Sequence, residues 1–176
     1  MYHYLLGMDL LPHTVAWCKG EIFEGRVILV VGCLVAIAAI GFWKFGGTPF
    51  ARAAVVPVGV LALLLIGTGV IMPMNNARRI TAYTVAHAAD PGTFARAEQA
   101  RTEAFISWYP RTRWIFFGVA IGGMLLLMSG PAIAKSIGMV LLALALSVFV
   151  IDHFSEERAL IYQRHIQEKS ADRSIP

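Results

Sequence analysis

The sequence predicts an all-α membrane protein: four transmembrane helices in two hairpins, with helical cytoplasmic extensions. Three observations carry this. Hydrophobic residues make up 57% of the chain and charged residues only 15%, whereas soluble domains average about 25% charged. The charges are unevenly spread. Between Val27 and Met74 only Lys44 and Arg52 are charged, and between Trp114 and Ile151 only Lys135 is. A lipid-embedded chain needs two such long charge-poor tracts, and a single soluble core does not.

The segments follow in order. Residues 1–26 form an amphipathic N-terminal helix. Asp9 is placed to cap it and Pro12 lies near its first turn. Leu11, Val15, Cys18 and Ile22 recur at helical spacing, with Lys19, Glu21 and Glu24 around the other side. Gly20 and Gly25 leave open whether this helix runs into the first span or lies on the membrane surface. Lacking a basic start, MYHYLLGMDLLPH is not expected to be a cleavable targeting segment.

Residues 27–72 form the first transmembrane hairpin, with spans at 27–45 and 53–72. Residues 114–151 form the second, with spans at 114–129 and 136–151. The last two spans are short against the ~20 residues that cross a typical bilayer, and Arg113 and Lys135 supply snorkelling ends. Between the hairpins, residues 73–113 are too long for a simple turn and read as a helical hairpin. NNARRITAYTVAHAA continues the second span, and TFARAEQARTEAFISWY leads to the third. Asp90 is a helix cap, Pro91 suits a first helical position, and Pro110 interrupts the run. Trp108, Tyr109 and Trp114 mark the membrane boundary. Residues 152–176 are a helical tail that leaves the fourth span without a break.

Twelve of the fifteen Lys and Arg, and all eleven acidic residues, fall on the side of the termini and the central segment. The positive-inside rule therefore puts both termini in the cytoplasm of a multi-pass protein of the cell inner membrane. The net charge of +4 reads as this flanking charge. No basic groove interleaved with aromatics suggests nucleic acid. Arg79 with Tyr83, and Arg158 with Tyr162, sit at matching places after the second and fourth spans, which suggests a duplicated hairpin.

No ionisable residue lies mid-span, where pumps and coupled carriers place theirs. Gly118, Gly122 and Gly123 form a small-residue face suited to helix association. Cys18 and Cys33 form no metal or redox motif. The candidate chemistry lies beyond the spans. His13, His87 and His165 fall at about the same depth, some 20 Å below the membrane at ~1.5 Å per residue. Glu98 and Glu103 bracket that depth. Imidazoles and a carboxylate at one height are the ligands of zinc or iron, so His13, His87, His165 and Glu98 are the candidate metal set. Nearer the membrane, Glu21, Glu24, His153, Glu156 and Glu157 form a second polar level, and Arg158 and Arg164 are placed to meet acidic headgroups or Glu98 and Glu103.

No nucleophile arrangement or phosphate loop is present, and no cofactor is expected. The reading is a non-enzymatic accessory or scaffold subunit, self-associating or bound to another membrane protein, and surrounded by lipids. The alternatives are a small oligomeric transporter or channel, and a membrane metal-binding sensor or enzyme using the His/Glu level.

Overall fold

The computed structural model describes residues 10–171. Those residues are helical apart from short connections, with no strand among them. Five helices follow one another: α1 (Leu10–Phe45), α2 (Pro49–Ala89), α3 (Pro91–Ile106), α4 (Tyr109–Leu127) and α5 (Ala132–Ala171). The expected Asp9 cap and the last residues of the tail lie outside the described residues.

Helix α1 passes unbroken through Gly20 and Gly25, so the N-terminal helix and the first span are one element. The loop to α2 is short. Thr48 caps α2 by accepting from the Ala51 amide at 3.1 Å, and Pro49 takes the first turn, where no amide hydrogen is needed. Pro57 and Pro73 lie inside α2 without ending it. Asp90 ends α2 and caps α3, accepting from the Gly92 and Thr93 amides at 2.8 and 3.1 Å. The break expected at Pro110 falls at Ser107–Trp108, with Pro110 in the first turn of α4.

Three helices, α1, α2 and α5, are long and apolar enough to cross a membrane. Helix α4 is not among them. Its first turns spend their length on Pro110, Arg111 and Arg113, so its apolar part begins only at Trp114. The faces of the long helices that point away from their neighbours carry Val30, Leu34, Ile37, Leu63, Leu64 and Leu146, all exposed.

Glycines set the closest helix approaches. A Cβ on Gly69 of α2 would lie 2.5 Å from the Leu29 amide nitrogen of α1, and one on Gly32 would lie 2.9 Å from the Ile66 nitrogen. Gly25 sits against Pro73 in the same seam. Helices α4 and α5 meet at Gly123 and Gly138, where a Cβ on either would approach the other's carbonyl within 3 Å. Tyr109 and Ser155 join the opposite ends of this pair, so α4 runs antiparallel along α5.

The two pairs are tied at both ends. At the loop end, Ser136 donates to the Ala53 carbonyl at 3.2 Å, and Ala39, Ala54 and Val58 pack with Met139 and Val140. At the charged end, Leu10, Phe94, Tyr162 and Ile166 from α1, α3 and α5 form a small core.

Candidate functional site

The charged end holds a buried polar cluster built by α1, α2, α3 and α5. Its face on α1 is Leu10, Thr14, Trp17, Cys18, Glu21 and Gly25. The stripe expected from hydropathy was Leu11, Val15, Cys18 and Ile22, which turns the helix by about one residue. The observed face wins because it brings small residues to the helix seams and one large ring, Trp17, to the centre.

Glu98 of α3 is the centre of the cluster, with only 2% of its surface exposed. Arg101, one turn on, donates to both its oxygens at 2.9 and 2.7 Å. The Tyr162 phenol of α5 donates to Oε2 at 3.1 Å and lies 2.5 Å from the Thr14 hydroxyl of α1. With the phenol proton on Glu98, the Thr14 hydroxyl is the donor to the Tyr162 oxygen, and the Leu10 carbonyl 3.0 Å away is its alternative acceptor. A fork-on-carboxylate pair with a third donor satisfies a buried charge about as fully as side chains can. The rings enclose it. Trp17 stacks on Tyr162 with centroids 5.7 Å apart, and the Arg101 guanidinium lies 4.4 Å from the Trp17 ring centre. Phe105 meets Trp17 edge-on.

A second tier lies nearer the membrane. Arg158 of α5 bridges Glu21 and Glu24 of α1, not Glu98 or Glu103. Glu103 instead accepts from Gln99 at 3.0 Å. Tyr109 donates to Ser155 at 2.9 Å, and Arg113 pairs with Glu156. Burial pushes the Glu21 carboxyl above its ordinary value, helped by the neighbouring Glu24 and opposed by Arg158. Burial likewise raises Asp152, against the pull of Arg113. The Tyr109 phenol is pushed up to about 12, chiefly by burial. Tyr162 goes higher still, through burial first and then the adjacent Glu98 charge.

The structure divides the candidate metal set. His13 and His165 come together, their rings stacked with centroids 4.7 Å apart. His87 instead packs edge-on against Phe94, with centroids at 5.4 Å. Glu98 is held by Arg101 and Tyr162. Among the described residues, no three His, Cys, Asp or Glu side chains are grouped to hold a metal ion.

The two arginine–tyrosine pairs meet the same two helices. Tyr83 lies beside Arg101, and Tyr162 bonds Glu98, both on α3. Arg158 pairs with Glu21 of α1, and Arg79 lines a cavity with it. Arg101, Trp17 and Thr14 are the central residues that the sequence did not single out. The available signal was Glu98 and Arg101 at i, i+3, a spacing that brings opposite charges together on one helix face. No protein-family model, curated protein or solved structure matches this chain.

Proposed function

We propose that the chain is a non-enzymatic accessory or scaffold subunit of the inner membrane, self-associating among lipids, with both termini in the cytoplasm. The observation that carries this reading is the closure of the Glu98 cluster. The groups best suited to acid–base work there are spent on each other: Glu98 on Arg101 and Tyr162, and Glu21 and Glu24 on Arg158. Such a network fixes the relative positions of three helices, α1, α3 and α5, and spends its acidic groups on internal partners. It suits a part whose work is to hold shape.

We also infer four crossings. Helix α4 accompanies α5 from Ser155 to Gly138, a stretch that includes nearly all of α5's apolar part. A helix packed against that length passes through the same depth of bilayer. The exposed aliphatic faces then meet lipid, and Arg113 reaches back to the headgroups from a short span. Self-association is supported by Gly118 and Gly122, whose missing side chains face open space while Gly123 is used within the chain.

Native mass spectrometry on the full chain in mild detergent, with chemical cross-linking in intact membranes, tests the reading. A defined oligomer or a fixed protein complex is expected. A chain that stays monomeric and uncross-linked in the membrane would overturn it.

A further inference from the structure

A polar pocket lies beside Glu21, between α1 and α2. Its volume is about 420 Å³, and its walls include Glu21, Thr68, Met72, Asn75, Asn76 and Arg79. Thr68 and Met72 belong to the apolar part of α2, whereas Asn75 to Arg79 lie beyond Pro73. The pocket therefore straddles the place where α2 leaves its apolar stretch, where an amphiphile presents its headgroup.

The donors and acceptors are specific. Asn76 is 4% exposed. Its amide nitrogen donates to the Met72 carbonyl at 3.0 Å, and its Oδ1 is buried with no hydrogen-bond partner. A buried acceptor left unpaired is costly, so it marks a place where a donor belongs. Glu21 is 8% exposed. Arg158 donates to its Oε1 at 3.1 Å and leaves Oε2. The lining residues thus include a carboxylate with one oxygen left and an amide whose oxygen is unpaired. Arg79, with an exposed side chain at the outer rim, presents a cation.

We propose that this pocket binds a phosphoethanolamine group, with its ammonium on Glu21 and Asn76 and its phosphate on Arg79. The acceptors select a primary ammonium, which has three N–H donors to give. A quaternary ammonium has none and is held by aromatic cages, and among the described residues no aromatic ring lines this pocket. An anionic headgroup without an amine would bring no cation to the remaining oxygen of Glu21. The apolar lip at Met72 suits the headgroup of phosphatidylethanolamine; free phosphoethanolamine carries the same chemistry.

The test uses the full chain, delipidated in detergent and mixed with phosphatidylethanolamine, phosphatidylcholine or phosphatidylglycerol of identical acyl chains. Native mass spectrometry then counts the lipids retained. Phosphatidylethanolamine should be retained over the other two by about tenfold or more, the worth of a hydrogen bond to a charged group. Glu21→Gln should cut that preference, and Arg79→Gln, which removes the cation facing the shared phosphate, should cut retention of all three lipids. Arg79 is exposed, so its variant keeps the fold and the test survives if the Glu21 variant does not. Competition by free phosphoethanolamine would support the site with a soluble ligand; its failure alongside retained lipid would support the membrane lipid. Equal retention of phosphatidylcholine, stronger retention of phosphatidylglycerol, or unchanged lipid retention in Arg79→Gln would overturn the proposal.

Discussion

Tyr162 and Glu98 lie 64 residues apart in sequence, and the phenol of the first donates to the carboxylate of the second at 3.1 Å. That bond fastens the last helix to the central hairpin, and Thr14 extends it to the first helix. Removing the carboxylate leaves the Arg101 guanidinium without its partner. Arg101 is about one quarter exposed, so water screens part of the loss. Glu98→Ala should destabilise by about 3 kcal/mol, and Tyr162→Phe by about 1 kcal/mol. The double variant Glu98→Ala/Tyr162→Phe should cost less than the sum of its singles, since both act through one bond. Unfolding in detergent, followed by circular dichroism, measures all four states, and strict additivity would dissolve the network.

The same phenols set an alkaline limit. An unfolded tyrosine releases its proton near pH 10. In the fold, Tyr109 holds its proton to about 12 and Tyr162 beyond that, mainly because burial disfavours the phenolate. Their contribution is complete below about pH 10, where both states keep the proton. Above it the unfolded chain sheds protons that the fold retains, and stability falls as pH climbs. The unfolding midpoint should drop steadily above about pH 10, and Tyr109→Phe/Tyr162→Phe should flatten that drop. A variant whose alkaline slope equals that of the natural chain would rule out these phenols as its source.

The fold was more legible in the sequence than the site, for a physical reason. Spans announce themselves by a bulk property, the lack of charge over many residues, and Asp90 with Pro91 announces a helix start by local chemistry. Both need only neighbours in sequence. The cluster joins Thr14, Glu98 and Tyr162 across three helices, and which residues face each other depends on helix rotation. A turn of about one residue along α1 brings Trp17, absent from the expected stripe, into the centre. Depth alone put three histidines at one level, bracketed by Glu98 and Glu103; rotation then brought His13 to His165 and His87 to Phe94. Helix α4 shows the limit of hydropathy itself, since its polar first turns dilute a short apolar run.

Glycine positions give a test of packing. A methyl group on Gly69 would meet the Leu29 backbone at 2.5 to 2.6 Å, and backbone cannot swing aside. Gly69→Ala should cost about 2 kcal/mol or more and loosen the α1–α2 seam. Gly118→Ala and Gly122→Ala meet nothing within 4 Å and should leave thermal stability of the monomer unchanged or slightly raised. Comparing these variants by melting in detergent separates seam glycines from open ones. Equal losses at Gly69 and Gly118 would contradict the helix seams described above.

The path of α4 decides the topology. If α4 crosses, the loop around Gly130 lies on the same side as the loop around Gly47, and opposite Gly92. If α4 does not cross, Gly130 shares a side with Gly92. The register of Tyr109 on Ser155 and Gly123 on Gly138 keeps α4 beside α5 along the latter's apolar stretch, which favours the first outcome. Single cysteines placed at Gly47, Gly92 and Gly130, after both natural cysteines are changed to alanine, can be labelled in intact spheroplasts with a reagent that does not cross membranes. Labelling is expected at Gly47 and Gly130 and protection at Gly92, as the excess of Lys and Arg on the Gly92 side requires. Protection at Gly130 with labelling at Gly47 would mean three crossings, and would place the α4–α5 loop in the cytoplasm.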